Sequence, residues 1–411
     1  MSRTDRTRLP DALRKWVEHA TQGLVTRSTS HHAGASRSAW SVDVEVSASD
    51  RAWPLFLLQD KGSGGGSVRD AAVLRALVGS GVPVPEVVAA DQERAAILLS
   101  RLPGRSEFPA ADEPKERQER TAAHLMALTA RLHALDPSRL GIAHLALPKN
   151  PEDCARGTLA QARSAAAALG KGADPFYGFA LDWLEANVPS SVERYSLVHS
   201  DMGPGNFLYE EGEITGIVDW EVAHVGDPME DLAAIAIRDM ATPVGSLVKR
   251  FGEYAGYSGM PVDLPRVHYY RALVLARNSL MIGLGLAHPS EQMDLEEMTM
   301  YQTLLVRAAA LVLCDNLGIE RPVVPPRTGD IESAEREDLS MLLGRPVSSL
   351  SDEASNEAAL RDALADAAMP STERRAEFAL FFARRMHRLA QTREALLGPL
   401  FDRLPQPLVA S

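Results

Sequence analysis

The sequence predicts an α+β fold, and three observations carry that expectation. Strand-forming sequence is concentrated before residue 102, in Trp40–Val46, Pro54–Asp60 and Ala95–Ser100. Helical apolar spacing dominates after residue 103. A strand, a polar loop and a hairpin over 195–218 interrupt that helical half. With 411 residues the chain can bury several cores. The boundaries expected are 1–102 for a sheet-rich first lobe, 103–321 for a mainly helical second lobe, and 322–411 for a linker and helical module.

Each element follows from its own pattern. Trp40-Ser-Val-Asp-Val-Glu-Val46 alternates as a half-buried strand does, and Pro54-Leu-Phe-Leu-Leu-Gln-Asp60 is a further strand. Lys61-Gly-Ser-Gly-Gly-Gly-Ser67 lacks the Gly-x-x-x-x-Gly-Lys-Ser/Thr pattern of a phosphate loop and reads as a flexible connection. A helix over 68–79 aligns Val73, Leu74, Leu77 and Val78, and the prolines of Gly81-Val-Pro-Val-Pro85 stop it. Ala95-Ala-Ile-Leu-Leu-Ser100 is another strand. Over 117–135 a helix presents Leu125, Leu128 and Leu132 on one face and ends at Asp136-Pro137. Helices at 164–169 and 176–188 lead to a buried strand, Tyr195-Ser-Leu-Val-His199.

Beyond residue 231 helix prevails. The stretch 266–287 carries Tyr269, Tyr270, Leu273, Leu275, Leu280, Met281 and Ile282 and reads as a core helix whose Tyr and Met side chains could also line an acceptor pocket. Arg271, Arg277 and Asn278 exclude it as a membrane span, which needs about 20 predominantly apolar residues. A second such helix covers 298–317. Pro322-Val-Val-Pro-Pro326 begins a linker. Helices are expected at 334–343, 356–367 and 372–397, the last with an apolar face of Phe378, Phe381, Phe382, Met386, Leu389 and Leu396. That face needs cover, from the lobes, from a partner, or from a second subunit in a homodimer.

The chemistry concentrates in His199-Ser-Asp201-Met-Gly-Pro-Gly-Asn206 and Ile217-Val-Asp219-Trp-Glu221. Moving a γ-phosphoryl group from ATP to an alcohol needs a carboxylate to orient and deprotonate the hydroxyl, and oxygen ligands for Mg²⁺. Asp201 fits the first role, and Asn206 and Asp219 fit the second. Phe207-Leu-Tyr209, the turn Glu210-Glu-Gly-Glu213 and Ile214–Val218 read as a hairpin that brings Asn206 and Asp219 together. His199 reads as a residue that packs and hydrogen-bonds within the loop. Glu221, Asp227 and Glu230 either face an acceptor pocket or decorate a loop and helix start.

These residues, in this order, resemble the aminoglycoside phosphotransferase-like family, relatives of protein kinases with a His-x-Asp-x-x-x-x-Asn catalytic loop and a later metal-binding Asp. The resemblance implies a two-lobe, protein-kinase-like fold with an antiparallel sheet lobe and a helical lobe. It implies ATP and Mg²⁺ as cofactors and a small hydroxyl compound as acceptor. Asp231, in Gly226-Asp-Pro-Met-Glu-Asp231, would buttress the catalytic loop. Gly34, Ala35 and Ser36 would form the phosphate-covering turn. The backbone of Leu99 to Leu102, Ser100 included, would meet the adenine. His133 falls in the family's first large-lobe helix and is structural by that likeness. The family spans aminoglycosides, macrolides, choline-like alcohols and hydroxyacyl metabolites, and the Asp-Trp-Glu form is closest to its macrolide and acyl-metabolism branches.

One departure stands out. The family's third strand carries a cation that grips the nucleotide phosphates and pairs with a helix acid. Its position falls here at Leu58 or Gln59, and the acid is Asp70 in place of Glu. Lys61, at the end of the strand, or Arg69 would have to fill that gap, or nucleotide binding is weak.

Composition fits this organisation. A formal net charge of −12 excludes the basic footprint of a general nucleic-acid binder. Two cysteines, Cys154 and Cys314, argue against a disulfide framework. No apolar signal core follows the basic N-terminus, so a cytoplasmic setting is expected, with no membrane partner. Two other classes remain as alternatives: a pseudokinase-like nucleotide-binding or scaffold protein, and a metal-dependent hydrolase built on His199, Asp201 and Asp219.

Overall fold

A computed structural model describes residues 9–31, 37–46, 52–61, 66–110, 112–170, 175–288 and 295–318. Gly34, Ala35 and Ser36 lie outside the described residues, as do the linker and the helices expected beyond residue 318. The chain divides into two units, Met1–Cys154 with Ser190–Val267, and Ala155–Pro189 with His268–Ser411.

The first unit opens with helix α1 (Asp11–Thr21), then strands β1 (Leu24–His31), β2 (Arg37–Glu45) and β3 (Trp53–Asp60). Helix α2 (Gly66–Leu77) and strands β4 (Val87–Asp91) and β5 (Ala96–Ser100) follow. The five strands form one antiparallel sheet in the order β1-β2-β3-β5-β4. Alternation decides its two faces. Trp40, Val42 and Val44 of β2 with Leu55 and Leu57 of β3 bury one face against Leu9, Leu13 and Val17 around α1. The opposite face carries the cross-strand pairs Arg37–Asp60, Ala39–Leu58 and Ser41–Phe56. That second face is the one with chemistry on it.

Helix α3 (Lys115–His133) begins the helical part, and its face of Leu125, Leu128 and Leu132 is buried as the sequence predicts. Strand β6 (Ser196–Val198) leads into the catalytic-type loop, and the hairpin β7 (Phe207–Glu210) with β8 (Glu213–Ile217) leads out of it. Glu211 and Gly212 both have positive φ, 52° and 88°, as a two-residue hairpin turn requires. Strand β9 (His224–Gly226) returns to pair antiparallel with β6. Helix α6 (Met229–Asp239) then starts directly beneath the loop, and α7 (Leu247–Ser258) packs on α3. To keep chain order, α4 (Asp153–Leu169) and α5 (Pro175–Ala186) lie between α3 and β6, and α8 (Leu264–Ala287) and α9 (Leu295–Leu317) follow α7.

Aromatic packing and shared hydroxyls hold the second unit. Tyr177 of α5 donates its hydroxyl to Ser279 of α8 at 2.9 Å, and Tyr269 donates to the Leu184 carbonyl at 3.2 Å. Tyr269 and Tyr270 are buried and Met281 is half-exposed. Among the described residues, no helix is long and apolar enough to cross a membrane.

Sequence pattern located most of these elements to within a few residues. It did not assign α1, β1, β4, β9 or α7, and it began α4 at residue 164 where the helix starts at Asp153. In β1 only Val25 is buried, so the strand lacks the apolar alternation that would reveal it. Strand β4 is short and nowhere fully buried.

Candidate active site

The loop after β6 owes its shape to one carboxylate. Asp231, two residues into α6 and fully buried, accepts the His199 N–H at 3.0 Å and the Ser200 N–H at 2.7 Å. The same carboxylate accepts His133 Nε2 at 2.9 Å, while His133 Nδ1 meets the Tyr254 hydroxyl at 2.8 Å. Burial works to raise the Asp231 carboxyl, but these hydrogen bonds and the neighbouring imidazoles outweigh it, and it lies below its ordinary range. Ser200, held this way, has φ of +66°, a left-handed conformation costly for a non-glycine residue. Its hydroxyl donates to Glu230 at 2.5 Å. The chain therefore turns sharply just before Asp201.

His199 is buried and fully engaged. Its Nδ1 accepts the Asp201 N–H at 3.3 Å, which leaves Nε2 to donate to the Val218 carbonyl at 2.9 Å. The ring lies 4.6 Å from that of Trp220. Its role in the loop is structural, and with both nitrogens committed it offers no metal ligand.

Asp201 has a partner that the sequence reading did not single out. Arg238, on the last turn of α6, donates Nε to Oδ1 at 2.9 Å and Nη2 to Oδ2 at 2.5 Å, a two-point clamp on the carboxylate. Its Nη1 donates to the Pro204 carbonyl at 2.7 Å. Two loop glycines make room for it: a Cβ on Gly203 would lie 3.0 Å from Arg238 Cδ, and one on Gly205 would lie 3.0 Å from Nη1. Both glycines also have positive φ, 136° and 94°.

Asn206 completes the loop. Its Nδ2 donates to the Asp201 carbonyl at 2.9 Å and to Oδ2 at 2.8 Å, so the amide oxygen is the atom left for a cation. Across the hairpin the Val218 N–H donates to the Asn206 carbonyl at 3.0 Å, which sets Asp219 beside Asn206. Asp219 has φ of +67°, a second strained position in the site. The hairpin thus unites the amide and the second acid as the spacing predicts.

Above them, on the site-facing side of the sheet, stands Arg37. Its side chain is 4% exposed. Nε donates to Asp60 at 3.2 Å and Nη1 to Asp70 of α2 at 2.6 Å. Nη1 also lies 3.4 Å from Asp219, and Nη2 lies 3.2 Å from Glu221. Asp60 in turn caps α2, accepting the Ser67 N–H at 3.0 Å and the Ser67 hydroxyl at 2.7 Å. Burial by itself lowers the Arg37 guanidinium, but Asp70, Glu221 and Asp219 outweigh it and the group is raised. Burial pushes the Asp70 carboxyl up to about 7, against the pull of Arg37. Lys61 and Arg69 are both exposed, and the cation that meets Asp70 is Arg37.

Other residues singled out in the sequence divide clearly. Leu99 is buried in β5, and the Ser100 N–H donates to the Glu86 carbonyl at 2.9 Å. Leu102 covers Gly216 of the hairpin, where a Cβ would lie 2.0 Å from its Cδ1. Asp227 and Glu230 are buried supports. Asp227 caps α6 through the Met229 N–H at 3.0 Å, and Glu230 ties Ser200 to His224, 3.1 Å away. Glu221 is the member of that acidic trio that reaches the site.

Residues 66–270 match the model of the phosphotransferase enzyme family, and through them the chain belongs to that family. Among curated proteins, acyl-CoA dehydrogenase family member 11 of Gallus gallus is 28% identical over 173 residues. That match takes in 40% of this chain and 22% of the relative, so the chain spans about a fifth of the protein it matches. Among solved structures, the GDP and kanamycin complex of APH(2")-IIia aligns with TM-score 0.55 and 16% identity, covering 74% of this chain and 99% of that one. Macrolide 2'-phosphotransferase MphH from Brachybacterium faecium aligns with TM-score 0.52 and 17% identity, covering 77% and 100%. At such identities the likeness concerns the fold, the protein-kinase-like α+β fold of these phosphotransferases.

Proposed function

We infer that this chain transfers the γ-phosphoryl group of ATP to a hydroxyl of a small molecule. The observation that carries the reading is the convergence of Asp201, Asn206 and Asp219 on a loop pinned by Asp231. In the reaction the acceptor oxygen attacks the γ-phosphorus, its proton passes to Asp201, and the bond from phosphorus to the ADP oxygen breaks. Asn206 and Arg238 hold Asp201 in place. Oδ1 accepts only Arg238 Nε, so its second lone pair remains to accept from the hydroxyl while the clamp stays closed.

An amide oxygen and a carboxylate suit a hard cation, and the guanidinium drawn to 3.4 Å from Asp219 marks that carboxylate as a place for positive charge. Mg²⁺ held by Asn206 and Asp219 would neutralise charge on the phosphates. Gly34, Ala35 and Ser36 are assigned to cover those phosphates, and Leu99, Ser100 and Leu102 to the nucleobase. Residues 1–102 then serve as the nucleotide lobe and 103–321 as the catalytic and acceptor lobe. A cytoplasmic setting fits the two-cysteine composition.

The acceptor class is open to a panel: kanamycin and a macrolide, which the structural relatives name, and a hydroxyacyl compound, which the sequence resemblance implies. The test is transfer of labelled γ-phosphate onto each, with Asp201→Ala as control. Retained transfer in that variant would remove Asp201 from the base role. Nucleotide binding with no transfer to any acceptor or to water would favour the scaffold reading.

A further inference from the structure

The phosphate-gripping position of the third strand, Leu58 or Gln59, carries no positive charge here, yet the site contains a buried cation. Strand register explains how. On β3 the site-facing residues are Phe56, Leu58 and Asp60, and their partners on β2 are Ser41, Ala39 and Arg37. The guanidinium thus enters from the neighbouring strand, one cross-strand pair beyond Leu58. Its reach is longer than that of a lysine, and the acid it meets on α2, Asp70, is one methylene shorter than Glu.

A built cradle surrounds it. A Cβ on Gly66 at the start of α2 would lie 2.9 Å from Arg37 Nη2 and 3.3 Å from Glu221 Oε2, so the helix begins with a residue that leaves the guanidinium room. Nη2 is buried and makes no hydrogen bond of good geometry, although Glu221 stands 3.2 Å away. Four carboxylates, Asp60, Asp70, Asp219 and Glu221, gather around one positive charge. Two anchor it well, through Nε and Nη1. The contacts to Asp219, at 3.4 Å, and Glu221, at 3.2 Å, belong to side chains with substantial exposure, 41% and 29%, whereas Asp60 and Asp70 are 7% and 4% exposed.

We propose that Arg37, delivered from β2, is the cation that grips the nucleotide phosphates in this protein, anchored by Asp60 and Asp70 and carrying Nη2 as the donor held ready for a phosphate oxygen. The same guanidinium is counter-ion to Asp219 and Glu221. Were a divalent cation held by Asp219, that carboxylate would have another partner and the outer donors of Arg37 would be left to the phosphates, which an arginine fork meets well. The proposal rests on the phosphotransferase reading above.

The test separates the two. Calorimetry in the presence of Mg²⁺ compares adenosine with ADP, and guanosine with GDP, on the full chain. The wild type is expected to bind the diphosphate at least tenfold more tightly than its nucleoside. Arg37→Gln with Asp70→Asn removes both charges of the anchored pair and avoids leaving a buried carboxylate alone; Arg37→Lys is the conservative variant. Nucleoside affinity should persist in both. The diphosphate advantage should fall to less than threefold in the double variant and be partly restored by lysine.

An unchanged advantage in the double variant would overturn the proposal, and doubly so if Lys61→Ala abolished it. Loss of nucleoside and diphosphate binding alike, in a double variant that still melts cooperatively, would reduce Arg37 to a structural pin. A wild type that binds neither ligand would defeat the phosphotransferase reading itself, and this assignment with it.

Discussion

Replacing Asp231 by Asn tests how the catalytic loop is held. The carboxylate takes three donors: the backbone N–H groups of His199 and Ser200, and His133 Nε2. An asparagine can keep its oxygen on the Ser200 N–H and, if the His133 ring changes tautomer, donate its amide to Nε2. The His199 N–H then faces an N–H₂ group and stays unsatisfied. A buried orphan donor costs about 1–3 kcal/mol, and two charge-assisted bonds become neutral ones, so the total should be roughly 3–5 kcal/mol. At about 2–4 °C per kcal/mol for a domain of this size, the melting temperature should fall by roughly 6–20 °C. His199 would lose its bond to the carboxylate and the turn that keeps Ser200 left-handed would loosen, so ATP turnover should fall further than stability alone explains. Differential scanning calorimetry with a turnover assay reads both effects. A variant that melts within about 2 °C of wild type and turns over normally would refute the reasoning.

Four further outcomes follow from the same geometry. Asp201→Asn should abolish phosphotransfer with a change in melting temperature under about 3 °C, because the side chain is one-third exposed; radiolabel transfer and calorimetry check this. Arg238→Ala should lower kcat by roughly tenfold or more while leaving the Kd for ADP unchanged, since it orients Asp201 and is not assigned to the nucleotide. Gly205→Ala places a Cβ against Arg238 at φ of +94° and should destabilise by about 1–3 kcal/mol, measured by urea unfolding. Asp227 is a pH prediction: burial raises its carboxyl from 3.8 to about 7, so its contribution to stability is whole below pH 4 and is lost as the pH rises through 7. The melting temperature of Asp227→Asn should therefore decline less than that of wild type between pH 4.5 and 7.5, the asparagine oxygen still capping Met229.

What the sequence disclosed, and what it hid, follows from distance along the chain. Asp201, Asn206 and Asp219 lie within nineteen positions and are joined by one hairpin, so their meeting could be read from spacing alone. Asp231 was legible because it opens a helix just after that hairpin. Arg37 was not, although it directly follows Gly34-Ala35-Ser36, the turn expected to cover the phosphates. Its importance arises from β2–β3 register and from α2 docking over the sheet, which bring together residues 37, 60, 70, 219 and 221. Arg238 escaped for a similar reason: it looks like an ordinary charged residue near a helix end until the loop with its two glycines folds over it. Asp227 and Glu230 resemble surface acids in sequence, and only their burial shows that they support the loop.

In the mechanism inferred for this site, nucleotide binds through a metal at Asp219. Titrating ATP into the full chain by calorimetry, with and without Mg²⁺ and with Asp219→Ala alongside, tests it most directly. Mg²⁺-dependent binding that Asp219→Ala loses is the expected result. Binding that is indifferent to Mg²⁺ and equal in the variant, or no binding to the wild type at all, would contradict it.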